Sequence, residues 1–221
     1  VAANLKARLW DDKRHACFDR DKHGKTIDVL CHNTLRCMYW GSISQKMADA
    51  FVRQHLLNPQ EFWTPLPLPS VAVNDPLFRN APENNWSGQC EGLTYQRAII
   101  ALERYGYEPL VTKLGRKLLD ALTQQFDPFT GEPSRVGMVS HEVLSRDSDE
   151  PFQDSYGPTL LAALEYIAHI WGIALVGDEV WFSLGSGLSY TYAQRFGDDV
   201  YEIKSDGRSG SIYKNRIAVG S

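Results

Sequence analysis

The 221-residue sequence has no apolar run approaching the about 20 residues that cross a bilayer, so a transmembrane helix is excluded. It has no basic excess. Its 23 Lys and Arg stand against 27 Asp and Glu, a net charge of −4, which leaves no electrostatic footprint for nucleic acid or an anionic membrane. Its four cysteines, Cys17, Cys31, Cys37 and Cys90, include no C-x-x-C pair. They read as buried free thiols and lean toward a reducing, cytoplasmic compartment, with disulfides or a metal site as the alternatives. The six histidines, His15, His23, His32, His55, His141 and His169, carry no ligand spacing, so no metal site is supported. No Ser/His/Asp arrangement can be argued, and Gly185-Ser186-Gly187 is a loop rather than a phosphate cradle. Nothing calls for a cofactor. No signal peptide is visible, although a chain opening at Val1 rather than methionine leaves its compartment open.

Hydrophobic residues at 43% and charged residues at 23% are ordinary for a globular chain, and the length allows one sizeable core, or one domain with a small appendage. The centre of the chain is residues 84–131. A polar loop, Asn84-Asn85-Trp86-Ser87-Gly88-Gln89-Cys90-Glu91, leads into apolar positions Leu93, Ile99, Ile100 and Leu102, then Leu110, Leu114, Leu118, Leu119 and Leu122. Their three- and four-residue spacing is helical, and the corner Tyr105-Gly106-Tyr107 folds the two runs into an antiparallel helical hairpin. Polar and aromatic residues gather in the loops at one end of it. A site is expected there, because loops on a rigid scaffold carry function more often than helix faces do.

Upstream, residues 2–10 read as the last turns of a helix, and residues 16–29 as a β-hairpin turning at Asp21 and Gly24. Met47, Ala50, Phe51 and Leu57 support a helix from about residue 44 to residue 56, which Asn58-Pro59 stops. Residues 58–88 are proline-rich and aperiodic, a length that is usually functional in a compact domain. A further helix over residues 156–171 has Leu160, Leu161, Leu164, Ile167, Ala168 and Trp171 as its inner stripe, and Gly172 ends it. After Gly177, alternating runs punctuated by glycine read as a small antiparallel sheet. The expected division is a helical-hairpin, catalytic-type domain over residues 1–175 and a β tail over residues 176–221.

Several pieces occur in a fixed order over residues 5–172: Leu9-Trp10 with the turn to Gly24, then Trp63, Pro69-Ser70 and Asn74-Asp75-Pro76. Trp86-Ser87-Gly88, Glu103-Arg104-Tyr105-Gly106-Tyr107, Phe126-Asp127-Pro128-Phe129-Thr130-Gly131 and Asp154-Ser155-Tyr156 follow. Together they resemble the inverting glycosidases built on an (α/α)6 barrel. The nearest are glycoside hydrolase family 63, of the processing α-glucosidase and mannosylglycerate or glucosylglycerate hydrolase types, and more distantly the trehalases. The resemblance implies a mostly α fold of toroid-type helical hairpins, here a partial barrel with a small C-terminal antiparallel β tail. It departs from the family pattern at Ser87 and Glu91, where the family has an arginine and an aromatic. It departs also at Gln124, which stands where the family's catalytic base is a glutamate. The family's general acid comes from an earlier hairpin, and about five helices against a barrel's twelve make the chain the C-terminal part of such a barrel.

Inverting hydrolysis needs two carboxyl groups roughly 6.5–9.5 Å apart, one to protonate the leaving oxygen and one to activate water. The acidic candidates on the site-side loops are Asp75, Glu91, Glu132 and Glu142. Glu91 is the first choice; the other reading is a first-turn glutamate stabilised by the helix dipole. Gln124 is a substrate contact or a substituted base, or else a polar helix end, and Asp75 is either a hydroxyl ligand or a turn former. Trp40, Trp63, Trp86 and Tyr156 are the aromatics suited to stacking on a sugar ring, with Trp63 and Trp86 the better placed. The expected site is therefore Glu91 and Gln124 for catalysis, with Trp63, Asp75, Trp86, Gln89 and Tyr156 holding substrate. The expected activity is inverting hydrolysis of an α-linked glucoside or small glycoside, with this chain supplying the base side and the sugar-binding wall. A carbohydrate is then the substrate, and the upstream half of the barrel or another subunit the partner, since open helix faces are apolar. The rival readings are a catalytically silent sugar-binding or scaffolding module and a helical interaction domain whose aromatics are structural.

Overall fold

The computed structural model describes residues 2–64, 67–79, 90–123, 142–143, 157–183 and 187–220. In chain order the elements are α1 (Ala2–Arg8), β1 (Trp10–Asp11), β2 (Ala16–Cys17), α2 (Thr34–Tyr39) and α3 (Gln45–Phe51). They continue with β3 (Cys90–Glu91), α4 (Gly92–Glu103), α5 (Glu108–Thr123), β4 (Glu142–Val143) and α6 (Gly157–Trp171). The strands β5 (Ile173–Val176), β6 (Glu179–Phe182), β7 (Ser189–Phe196), β8 (Asp199–Asp206), β9 (Gly210–Lys214) and β10 (Ile217–Gly220) close the chain.

The hairpin of α4 and α5 sits at the centre. Ile99 and Leu102 on α4 and Leu110, Leu114 and Leu118 on α5 are buried, as their spacing predicts. Ser44 caps α3 by accepting from the Met47 N–H (3.3 Å), and α3 runs into a π-turn at Val52–Leu56 before Asn58. The stripe expected on α6 holds only in its second half, where Ile167, Ala168 and Trp171 are partly buried and Trp171 packs against the core. Leu160, Leu161 and Leu164 are exposed, while Ala162, Ala163, Tyr166 and Ile170 point inward. The reason is distance. Gly115 on α5 lies so close to α6 that a Cβ there would meet the Tyr166 ring at 2.5 Å. Only small side chains and one flat ring fit such an approach, so alanines take the inside. Tyr166 is then fixed from both ends, its hydroxyl donating to the Tyr95 carbonyl at 2.8 Å.

Two further expectations are corrected. Ala16–Cys17 pairs with Trp10–Asp11 rather than with residues 26–29, because Asp11 Oδ1 accepts the backbone N–H groups of Lys13 (2.9 Å) and Arg14 (3.0 Å) and closes the earlier turn. Of the expected 16–29 hairpin only the Arg20–Thr26 bridge forms, over a turn in which Asp21 accepts from His23 and Lys25. The larger correction concerns fold class. The chain is not mostly α with a small β tail, and its described residues do not form a barrel. From Ile173 onward almost every described residue is in a strand or a tight turn. β5 and β6 make one antiparallel ribbon, and β7 to β10 make a four-stranded meander in the order β10-β9-β8-β7. The pairing of β7 with β8 is unbroken over eight residues, Ser189↔Asp206 to Phe196↔Asp199. The fold is therefore α and β in succession. The β region is docked on α6: Trp171 packs edge-on to Tyr190 at 5.1 Å, whose hydroxyl donates to the Trp171 carbonyl (2.9 Å).

Candidate active site

The loops meet at the start of α4. Cys31 bridges Val71, Pro69 bridges Cys90, and β3 pairs with β4 so that Glu91 stands opposite Glu142 in the backbone register. A loop from the proline-rich segment is thus held against the residues that open α4. His32 is the tie between them. It is buried, and its backbone N–H donates to the Ser70 carbonyl (3.2 Å). Its Nδ1 lies 3.3 Å from the Pro69 carbonyl and its Nε2 lies 3.2 Å from the Thr94 hydroxyl. A carbonyl only accepts, so Nδ1 carries the proton, and Nε2 accepts from Thr94. Tyr95, next on α4, donates its hydroxyl to the Pro67 carbonyl.

This histidine makes the loop cluster acid-sensitive. Burial without a countercharge pushes the imidazole down from its ordinary 6.5 to about 4. The folded state then binds fewer protons than the unfolded chain between these values. Stability is fully present above pH 6.5 and is lost as pH falls toward 4, by about 3 kcal/mol from this group. Urea unfolding of the parent and of His32→Gln at pH 7, 5 and 4 isolates the effect. The parent should lose more stability on acidification than the variant, and equal losses would remove His32 from the account.

Of the expected site residues, Asp75 is well defined. Its Oδ2 accepts the Leu30 N–H and its Oδ1 the Leu77 N–H, both at 2.9 Å, so both oxygens clamp loop backbone. Trp63 is half-buried against the core. The Lys117 ammonium stands 5.4 Å from its ring centroid and donates to the Thr64 carbonyl (3.0 Å). Lys117 lies in the second half of α5, which runs alongside the first half of α4, and the Pro69–Cys90 bridge ties the proline-rich loop to the start of α4 beside Glu91. Glu91 is placed by its backbone in β3. Trp86, Gln89, Gln124 and Tyr156 lie outside the described residues, as does Glu132. Trp40 is 74% exposed beside Tyr39, away from this cluster. A cavity of about 510 Å³ adjoins the Cys31–Val71 bridge, lined in part by Asp19, Asn33, Arg36 and Ser70. Its acid, amide and guanidinium groups are suited to hydroxyls, and no sequence signal pointed to it, because its residues come from separate loops. The cysteines are free thiols, and among the described residues no group of acidic, His and Cys side chains could hold a metal ion. Nor is any described helix long and apolar enough to cross a membrane.

No curated protein matches the chain. Among solved structures, neutral trehalase from Saccharomyces cerevisiae matches 76% of this chain with a TM-score of 0.61 at 17% identity, over 29% of its own length. A glycoside hydrolase family 63 mannosylglycerate hydrolase from Thermus thermophilus, in complex with glucose, matches 75% of this chain with a TM-score of 0.52 at 20% identity, over 37% of its own. An uncharacterized conserved protein from the same organism matches 75% of this chain with a TM-score of 0.52 at 19% identity, over 38% of its own. The chain thus spans about a third of each of these proteins, and at such identities the likeness is one of fold. Sequence similarity goes further: the family model of the mannosylglycerate hydrolase MGH1-like glycoside hydrolase domain matches residues 1–147, about two thirds of the sequence, and the chain belongs to that glycoside hydrolase family.

Proposed function

We propose that the chain takes part in inverting hydrolysis of an α-linked glucoside or a small glycoside such as glucosylglycerate, supplying the base side and the sugar-binding wall. The observation that carries this reading is the placement of Glu91 in a glycoside hydrolase family member. β3 holds it where the Pro69 bridge and the loop clamped by Asp75 converge, opposite Glu142. In this reading Glu91 is the acid/base group and Gln124, at the family's base position, a substituted base or substrate contact. Trp86, Gln89 and Tyr156 hold substrate with Trp63, while Asp75 shapes the loop that faces it. The second carboxyl of the inverting pair comes from residues outside this chain. The catalytic-type unit occupies residues 1–175 and the strands after it are an appendage. Exposed Leu160, Leu161 and Leu164 support association of α6 with another subunit.

Turnover of glucosylglycerate, mannosylglycerate and trehalose, with the anomer released read by NMR, tests this on the chain and on a version extended upstream. Glu91→Gln should lower kcat by about 10²–10⁴-fold with the fold intact. Full activity in that variant removes Glu91 from the chemistry, and a retained anomer removes inversion. The second reading, a catalytically silent sugar-binding module, is favoured by Gln124 standing where the resemblance expects a carboxylate base. Calorimetric binding of glucose or trehalose without turnover of any glycoside would support it.

A further inference from the structure

A cavity of about 230 Å³ opens between the α4–α5 hairpin and the β5–β6 ribbon, at the end of α4 away from Glu91. The ends of this 12-residue helix are about 18 Å apart, so the cavity is separate from the candidate active site. One wall is the Glu103–His169 pair, Oε1 to Nδ1 2.7 Å, both side chains largely buried. Glu108 and Thr112 of α5 and Trp181 and Phe182 of β6 line much of the rest.

Two independent features point to a ligand rather than to packing alone. Thr112 is only 6% exposed, yet its hydroxyl has no hydrogen-bond partner among the described residues. Buried hydroxyls are ordinarily paired, and this one lines the cavity. The second feature is chemical sign. The lining holds two carboxylates and no lysine or arginine. His169 gives its Nδ1–H to Glu103, and its other nitrogen has no partner among the described residues. The Trp181 indole N–H is engaged by Glu179 (3.0 Å), which leaves the apolar ring to the cavity. The lining therefore offers acceptors and aromatic surface and is short of free donors.

We propose that this cavity binds a small organic ammonium ion. An ammonium has three N–H donors and no acceptor, which matches the Glu108 carboxylate and the Thr112 oxygen, and its charge is attracted to the Trp181 and Phe182 rings. A neutral polyol of the same size brings acceptors that find few donors, and an anion is repelled by both glutamates.

Isothermal calorimetry of the 221-residue chain with ethanolammonium chloride, glycerol and sodium acetate as probes tests the assignment. Ethanolammonium should bind with a millimolar or tighter Kd, with glycerol and acetate at least tenfold weaker. Glu108→Gln and Trp181→Ala, both at exposed positions, should each weaken ethanolammonium about tenfold, with urea midpoints confirming an intact fold. Thr112→Val keeps the side-chain shape and should weaken binding without lowering the melting temperature. No binding of ethanolammonium, glycerol bound as tightly, or variants that bind like the parent would each overturn the proposal. None of these readouts uses glycosidase activity, so the outcome is independent of the proposed function.

Discussion

Replacing Gly172 with alanine is expected to cost more than about 4 kcal/mol of folding free energy and to loosen the β region from the helices. Two effects add at this position. Its φ of +83° lies in the left-handed region, where an L side chain costs about 1–2 kcal/mol. Its Cβ would also fall 1.7 Å from the Ser183 carbonyl oxygen, a distance no rotamer relieves because the clashing atom is backbone. Both partners are held. The Gly172 N–H donates to the Ala168 carbonyl at 2.8 Å, ending α6, and the Gly172 carbonyl accepts the Ser183 N–H at 2.9 Å, starting the ribbon. Ile203 of β8 closes the third side, with its Cδ1 3.2 Å from the same Cβ position. Gly106 separates the two effects. It has a φ of +76° and no atom within 4 Å of its Cβ position, so Gly106→Ala should cost only the conformational 1–2 kcal/mol, roughly. Urea unfolding of both variants decides the matter, and equal losses would mean that the crowding at Gly172 is relieved at little cost.

The same residue shows what could be read from the chain beforehand. A glycine after an apolar helical run marks a helix end, and Gly172 does end α6. That it also receives a strand against its α-carbon depends on residues 183 and 203, which no local pattern connects to it. The leucine half of the α6 stripe turns outward for a related reason. Hydrophobic spacing identifies a face, but Leu160-Leu161-Leu164 and Ala162-Ala163-Tyr166 are both plausible faces of one helix. Close approach at Gly115 selects the smaller side chains, and that approach is tertiary. The hairpin of α4 and α5 was legible because one stripe on each helix outweighs the alternatives. At the candidate site, Asp75 was legible as a loop-former or ligand, and the geometry makes it a clamp on Leu30 and Leu77. The histidines carried no sequence signal, since His32, His55 and His169 each meet partners on other segments. The extent of the β region is not legible in its alternating stretches singly. The eight-residue register of β7 with β8 comes from pairing, not from either strand alone.

Loss of the His55–Glu61 pair is the second large effect expected. His55 lies in the π-turn after α3, and its Nδ1 is 2.6 Å from Glu61 Oε2, with side-chain exposures of 6% and 11%. Its Nε2 faces the Arg14 carbonyl. Both ring nitrogens therefore face oxygen atoms, which ties the imidazole on both sides. Removing the imidazole takes away the close partner of a buried carboxyl group, so His55→Ala should cost about 3–5 kcal/mol. Glu61→Gln should cost far less, because the amide can turn its NH₂ toward Nδ1 while Nε2–H still serves Arg14. A double-mutant cycle in urea separates the pair from the packing of the ring against Phe51. The consequence reaches the candidate site. Glu61 also accepts the Val73 N–H through its carbonyl (3.2 Å), and its own N–H donates to the Asn58 carbonyl (3.0 Å), so it spans the turn that carries Trp63 and the loop that carries Asp75. In the proposed reading, His55→Ala assayed below its melting temperature should therefore raise KM for the glycoside more than Glu61→Gln does. If the two variants bind sugar alike while differing in stability, the pair supports the fold alone and the sugar-facing loops are held in place by His32 and Asp75.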